Sequence, residues 1–426
     1  MSPYKTITFI QTPVPELRED RLEPNLGLLY LATSMAGLGM DVKYVDLSSF
    51  PSDRWNSEIP LSDIYCLSTF TPSYYRTVNI KKICKTKNPN SLTIAGGPHA
   101  SALAESVSKD FDIVVVGEGE LALKSIIRKL KSQKEIPKII YGKPVRNLDS
   151  LPYPDYTLVD LDSYTRVVEK KKCVSIVTSR GCPYQCLFCN SNIMGRGRKV
   201  RFRSAENVTR EIILLNEKFG LEAFRIQDDI FNINIDRIKK ISDILKHYDF
   251  TLRCFARVDL MLEAIVDAFY SMGVKHVSFG IESGSQKMLE NMGKRLSVEK
   301  IIKGVENTKS QGLKTRAYLM VGFPGENWET VEETVELMKI CNFDEFIVYP
   351  LIPYPGTPLY YNPQKYGITY IDPDFSKYFQ VFGDKQAGFT FETEALNRKT
   401  IQEMRDYLIK TLLRFSRWSG DSIEFR

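Results

Sequence analysis

The sequence predicts an α/β chain: a doubly wound parallel sheet, then a partial (β/α)6 barrel, then a mainly helical C-terminal region. Three observations predict it. Short β-branched runs alternate with helix-like stretches up to about residue 140, the pattern of a parallel sheet covered by helices. The alternation lapses over residues 142–172, where prolines and aspartates crowd together. It then resumes through six more strand candidates, too long a run for a second small sheet and suited to an open barrel. These shifts divide the chain into residues 1–141, 142–172, 173–364 and 365–426. A length of 426 residues leaves room for two or three such units.

In the first unit, "TITFIQ", "DVKYVDL", "DIYCLST", "SLTIAGG" and "DIVVVGEGE" read as strands. Helices are expected between them, from Leu26 to Leu38, Tyr74 to Lys85 and Glu120 to Leu130. Doubly wound sheets bind ligands beyond the carboxyl ends of their strands. Binding residues are therefore expected in the turns "QTPVP", "STFTP", "GGPHAS" and "GEGE", whose glycines suit close backbone approach to a ligand. The stretch "GKPVRNLDSLPYPDYTLVDLDSY" reads as a linker that packs without regular structure. After it, "VSIVTS", "AFRIQDD", "LRCFARV", "HVSFGIE", "TRAYLMVGFPGE" and "EFIVYPLI" read as barrel strands. Their helices are expected from Ser204 to Phe219, Ile235 to His247 and Val298 to Gly312. The tail ends in an expected helix from Glu394 to Phe415. No repeat of solenoid period is present.

Composition fits a globular protein with a real core: 43% of residues are apolar, 26% charged and 11% aromatic. No apolar run is long enough to span a bilayer, and the N-terminus lacks the features of a signal peptide. The cytoplasm is the expected address. In a reducing compartment clustered cysteines point to metal or redox chemistry rather than disulfides. Of the eight cysteines, Cys66, Cys84, Cys254 and Cys341 sit in apolar or mixed stretches and read as ordinary buried residues. The net charge of +6 is mild, but "GRGRKVRFR", Gly195 to Arg203, is strongly basic. Such a run suits a solvated surface or a phosphate contact, and an anionic small molecule before nucleic acid.

The stretch "SRGCPYQCLFCNSN" places Cys182, Cys186 and Cys189 on one loop, directly after the first barrel strand. That is the active end of a parallel barrel. Thiolates suit zinc or iron–sulfur clusters, and structural zinc takes four ligands in paired spacing. The nearest fourth thiol, Cys173, precedes the strand, and His99, His247 and His276 are remote in sequence. Three cysteines suggest a cubane cluster with one iron left open.

This spacing, with Phe188 and the preceding "TSRGC", resembles the signature of the radical S-adenosylmethionine (SAM) enzymes. The resemblance implies that Cys182, Cys186 and Cys189 hold a 4Fe–4S cluster whose fourth iron takes the amino and carboxylate groups of SAM. It implies further SAM contacts at Phe188 itself, at Asp228 and Asp229 in "AFRIQDDIF", Arg257 in "FARVD", and Glu282 and Ser283 in "VSFGIESGS". Val321, Gly322 and Phe323 in "LMVGFPGE" would line the adenine. Taken singly, the aspartates could cap a helix, Arg257 could form a surface ion pair and "GFPGE" could be a plain turn. Falling after successive strands in family order, they read together.

The front unit lacks the GxGxxG fingerprint of dinucleotide-binding folds. It resembles instead the Rossmann-like cobalamin-binding domain that precedes many radical SAM barrels, through "PNLGLLYLATSMAGLGMDVKYVD", "IAGGPHAS" and "DIVVVGEGE". Gly27, Thr69, Thr71, Ser73, Gly96, Gly97, His99, Gly117, Glu118, Gly119 and Glu120 are the implied cobalamin contacts. No Asp-x-His-x-x-Gly motif occurs, so His99 is expected to line the pocket or a turn and not to ligate cobalt. Some members keep this domain without binding cobalamin; the intact glycines favour binding.

Together the resemblances cover about residues 4 to 360. They imply methylation of an unactivated carbon of a small biosynthetic substrate, through a 5′-deoxyadenosyl radical and methylcobalamin. An electron donor such as a flavodoxin or ferredoxin is implied, and no general base is required. Radical cyclisation, ring rearrangement and oxidation on the same scaffold stay open. A tRNA methylthiotransferase would carry three cysteines in its front domain, where only Cys66 and Cys84 occur here. A non-catalytic cobalamin or iron–sulfur protein would not need the SAM segments.

Overall fold

A computed structural model describes residues 4–14, 21–48, 50–191, 193, 199–379 and 388–418. Its front sheet has six parallel strands: β1 (Thr6–Gln11), β2 (Asp41–Asp46), β3 (Ile64–Ser68), β4 (Leu92–Gly96), β5 (Ile113–Gly117) and β6 (Ile139–Gly142). They lie in the order β2-β1-β3-β4-β5-β6, so the winding reverses between β1 and β3. Side chains on a strand alternate between faces. Ile7, Phe9, Ile64, Cys66, Ile94, Ile113 and Val115 accordingly build one core, and Ile10, Tyr65, Leu67, Ala95 and Val114 another on the opposite face. Helices Leu26–Ala36, Tyr74–Lys87 and Gly119–Lys131 match the sequence expectation within a few residues. Strand β6 was not expected. It is a four-residue edge strand whose Tyr141 is exposed, so no buried alternation marks it.

The linker forms three short 3-10 turns at Leu148–Ser150, Tyr156–Leu158 and Leu161–Ser163, each opened by an Asn or Asp that accepts from the backbone two residues on. Its last residues form β7 (Val167–Val168), antiparallel to β8 (Lys171–Ile176). Beyond β8 comes a small ribbon, β9 (Ser179–Arg180) with β10 (Arg201–Phe202). The barrel continues through β11 (Ala223–Ile226), β12 (Thr251–Ala256), β13 (Val274–Glu282), β14 (Lys314–Val321) and β15 (Glu345–Pro350). Six parallel strands, β8 and β11 to β15, form its wall, as the sequence predicts.

Alternation again sets the packing. Val174, Ile176, Phe224, Leu252, Cys254, Val277, Phe279, Ala317, Leu319 and Val348 join one large core with the flanking helices. The alternate positions carry polar groups: Arg253 donates to Ser278 at 3.0 Å, Arg225 pairs with Glu23 at 3.2 Å, and Arg316 pairs with Glu345. Helix Ala205–Phe219 starts where Ser204 accepts from Asn207 N and ends at left-handed Gly220.

The tail is less purely helical than expected. It contains an antiparallel pair, β16 (Ile368–Ile371) and β17 (Phe391–Thr393), then helix Arg398–Leu412 and the edge strand β18 (Arg417–Trp418) beside β15. That helix packs on the barrel: Arg405 donates to Val348 O, and Ile401 fills the space a side chain at Gly322 would need. Among the described residues no helix is long and apolar enough to cross a membrane.

Candidate functional site

The cysteine loop leaves the barrel through β9 and returns through β10, with Arg180 facing Arg201 and Ser179 facing Phe202 in register. Asp228, beyond the end of β11, brackets the exit. Its carboxylate accepts from Thr178 N at 2.6 Å, Ser179 N at 3.0 Å, Ser179 Oγ at 2.7 Å and Thr178 Oγ1. Both oxygens are thus spent on the loop's stem, and Asp228 is not placed to meet a SAM amine. Its neighbour Asp229 accepts from Gly181 N at 3.2 Å, where the chain turns at a φ of 104° into the cysteines.

Cys182, Cys186 and Cys189 are half-buried, whereas the other five cysteines are buried. Burial pushes the Cys182 thiol up to about 11, and the charges of Cys189, Asp229 and Cys186 add to it. Cys186 is raised by burial and partly relieved by Lys294. Burial opposes ionisation of Cys182 and Cys186, and a cationic iron–sulfur group would reverse that opposition. Among the described residues no group of three or more His, Cys, Asp or Glu side chains is arranged to hold a metal ion, the three loop thiols included. The three thiols share one loop, with Cys182 and Cys186 within electrostatic reach of Cys189.

Around the loop, Leu187 N donates to Met292 O at 3.0 Å. The Arg257 guanidinium lies 3.6 Å from the centroid of the Tyr184 ring. It donates to Lys294 O at 2.9 Å and Arg295 O at 2.7 Å, and pairs with Asp259 at 2.7 Å. Arg257 therefore braces the cysteine loop through Tyr184; its Nη2 is committed to two backbone carbonyls, while its Nε, close to Asp259, has no hydrogen-bond partner. Glu282 stands at a left-handed φ of 68° and pairs with Lys294 at 2.8 Å, whose ammonium is 5.9 Å from the Phe188 ring.

The rest of the SAM set lies deeper. Ser283 Oγ accepts from Ser285 N and meets Thr334 Oγ1, so it serves the turn. Val321 and Phe323 point into the helix-facing core, leaving only their backbone toward the barrel mouth. Gly322, at a φ of 88°, donates to Glu326, and a Cβ there would come within 2.8 Å of Ile401. Burial lifts the Glu326 carboxyl to about 8, against the bond from Gly322 N. Tyr184, Asp259, Lys294 and Glu326 were missed. Tyr184, Asp259 and Glu326 lie inside the motifs "CPYQC", "FARVD" and "LMVGFPGE" and could have been flagged; Lys294 becomes a neighbour only through the fold.

At the front sheet, the rim beyond β3, β4 and β5 is largely self-satisfied. Thr69 donates through N and Oγ1 to Gly96 O, and its Oγ1 accepts from Ala100 N. His99 is buried, its Nδ1 3.2 Å from Thr71 Oγ1 and its ring between Tyr74 and Phe375 at 4.3 and 5.1 Å. Burial lowers it to about 4, so the imidazole is neutral, and its enclosure suits a turn residue. Gly117 N donates to Ser101 Oγ. Gly97 has a φ of 98°, and a Cβ there would lie 2.9 Å from Thr69 O. Gly96 has room for a side chain, Gly27 would meet Asn25 Oδ1 and Gly119 would meet Leu31. Two features suit a large planar ligand with polar edges: Phe70 and Tyr75 are exposed beyond β3, and the buried Ser73 Oγ has no hydrogen-bond partner. Residues of this rim therefore fit a corrin, with two exceptions. Glu118 and Glu120 turn instead to Arg180 and Arg201 of the stem.

Two residues of the basic run, Arg201 and Arg203, are placed in ion pairs with Glu118 and Glu211, neither solvated nor open to phosphate. Gly195 to Arg198 lie outside the described residues.

Comparison with known proteins gives two family matches: the B12 binding domain over residues 21–127 and the Radical SAM superfamily over residues 176–338. An uncharacterized methyltransferase of Pyrococcus horikoshii, PH0819, is 33% identical over 362 residues, covering 79% of this chain and 78% of that one. The anaerobic magnesium-protoporphyrin IX monomethyl ester cyclase of Rubrivivax gelatinosus is 26% identical over 399 residues, covering 87% and 68%. In fold, the chain resembles the radical SAM methyltransferase TsrM of Kitasatospora setae, solved with cobalamin and a 4Fe–4S cluster. The TM-score is 0.70 at 16% identity, covering 97% of this chain and 89% of that one.

Proposed function

The chain belongs to the radical SAM superfamily, with a B12-binding domain ahead of its barrel, and on that premise we propose that it methylates an unactivated carbon of a small molecule. One observation carries the proposal: the carboxyl ends of the two parallel sheets meet. Glu118 and Glu120, just beyond β5, pair with the stem of the cysteine loop, just beyond β8. Tyr361 of the segment after β15 donates to Ala102 O at 2.6 Å, next to the β4 turn. Ligands on the two rims would face one space, as radical formation followed by methyl transfer demands.

When bound, the cluster, SAM and cobalamin supply the electron, the hydrogen-abstracting radical and the methyl group. The chain's own residues hold and shield. Cys182, Cys186 and Cys189 are the cluster donors in this reading. Asp229 and the Glu282–Lys294 pair offer opposite charges to the two ends of the amino acid of SAM. Arg257 holds Tyr184 and so keeps the loop in place. Gly97 and Gly117, both at left-handed φ, shape the turns on which a corrin edge would rest. The reductant in this reading is a flavodoxin or ferredoxin.

Similarity to the cyclase favours a second reading, oxidative cyclisation on the same scaffold. Anaerobic reconstitution with iron, sulfide and cobalamin, followed by SAM and reductant, separates the two. Methylation predicts stoichiometric corrin absorbance, 5′-deoxyadenosine, and label from methyl-labelled SAM in a carbon-bound methyl group. 5′-Deoxyadenosine with product but no label would move the reading to cyclisation. Absence of corrin absorbance would sink both the methyl donor and the proposal.

A further inference from the structure

Glu118 and Glu120, which the family resemblance implies as corrin contacts, have another task in this fold. We infer that they are positioning residues for the cysteine loop, joined with Arg180 and Arg201 in a buried charge clamp that makes the loop's stem a shared element of both domains. The inference rests on the reading of Cys182, Cys186 and Cys189 as cluster donors.

Both legs of the loop are gripped. On the outgoing leg, Arg180 lies 2.7 Å from Glu120 and 3.6 Å from Glu118. On the returning leg, Arg201 Nη1 donates to Glu118 Oε2 at 3.1 Å and Nη2 to Glu118 Oε1, a two-pronged pair. The linker closes the junction: Val145 N donates to Glu118 Oε2 at 2.8 Å, and Val145 O accepts from Arg201. The first helix adds the Tyr30 ring, 5.6 Å from the Arg180 guanidinium. The charges balance, two against two, and no side chain of the four is more than 11% exposed.

Burial makes this clamp directional. Pairing two buried charges adds little net stability over apolar packing, but removing one partner leaves the other charged and desolvated, which costs several kcal/mol. The stem therefore cannot part from the front sheet piecemeal. On its barrel side the same stem is bracketed by Asp228 through Thr178 and Ser179. Glu118 follows directly on Gly117, the last residue of β5 and part of the front rim. A shift of that rim is thus passed to both legs of the loop at once, and through them to the cysteines.

The test uses the full chain and compares Glu118→Gln/Glu120→Gln with the swap Glu118→Arg/Arg201→Glu, which restores opposite charges across the junction. Two measurements are made: hydrogen exchange of the peptide covering 179–203 before cofactor loading, and the EPR spectrum of the reduced cluster with SAM after loading. Neutralisation should speed exchange in that peptide by at least about tenfold while exchange of β3 and β4 stays unchanged. The EPR signal should become heterogeneous with iron and corrin content intact, and the swap should restore both readouts in part. Unchanged exchange in the stem of a folded variant overturns the inference. So does loss of corrin absorbance with an unaltered stem, which would return the two glutamates to the cofactor. If the double substitution prevents folding, Glu120→Gln, which removes only the Arg180 bond, is read by the same criteria. A wild-type protein that takes up no cluster would overturn the cysteine assignment, whereas the exchange data still decide the clamp.

Discussion

The front rim and the cysteine loop both lie beyond strand ends, yet they treat their polar atoms in opposite ways. On the front rim, Thr69, Thr71, His99 and Ser101 bond to one another and to backbone. In the cysteine loop, the donors are half-buried thiols, and burial opposes the ionisation of Cys182 and Cys186. A rim that satisfies itself keeps its shape without a ligand and offers a surface. A loop whose thiols make only long sulfur hydrogen bonds, such as Ser191 N to Cys189 Sγ at 3.5 Å, gains its shape from what it binds. Preorganised scaffold and ligand-completed site are thus separable by where the hydrogen bonds go, and four substitutions press on that distinction.

The largest effect is expected at the loop. Cys186→Ala should abolish cluster uptake and 5′-deoxyadenosine formation while cobalamin absorbance persists; iron content and the visible spectrum check both. Retention of a full cluster would erase the contrast. Asp228→Ala comes next, since it strips the stem of the acceptor for four donors, at an expected cost of about 3–5 kcal/mol in denaturant unfolding. If Asp228 served SAM alone, stability would hardly move.

Glu326 sharpens the contrast as a buried carboxyl beside the barrel mouth. Its folded value, about 8, lies above the roughly 4.3 of an unfolded chain. Its contribution is therefore fully present below about pH 4 and is lost as pH rises through about 8, on the order of a few kcal/mol in all. Unfolding midpoints measured between about pH 5 and 8.5 should fall more steeply for wild type than for Glu326→Gln. Parallel profiles would show that the carboxyl is not protonated in the fold. Gly97→Ala should cost the least, about 1–3 kcal/mol for a left-handed backbone and a Cβ pressed on Thr69 O. Cobalamin uptake should drop while cluster content holds.

Much of this was legible in the sequence because it is local. Alternation of period two marks the core strands, Ser204 caps the helix it precedes, and three cysteines declare themselves within eight residues. Edge strands β6, β7 and β18 escaped because a short strand with one open side has no buried period to display. The fates of Asp228, Arg257 and Glu118 escaped for another reason. Their partners lie about 50, 37 and 83 residues away in the chain, and a carboxylate headed for a clamp reads like one headed for a cofactor. Motif position located the rims correctly and could not say which side chain on them was already spoken for.

Helix Arg398–Leu412 bears on how this scaffold can be recombined. Because Ile401 occupies the space beside Gly322 and Arg405 reaches Val348 O, the last helix is part of the barrel wall and not an appendage. The exchangeable cassette is the piece before it, from the end of β15 through β17, which carries Phe375 to His99 and Tyr361 to Ala102. A graft of that segment should therefore splice at about residues 352 and 396 and leave the final helix in place; a simple C-terminal truncation would open the wall instead.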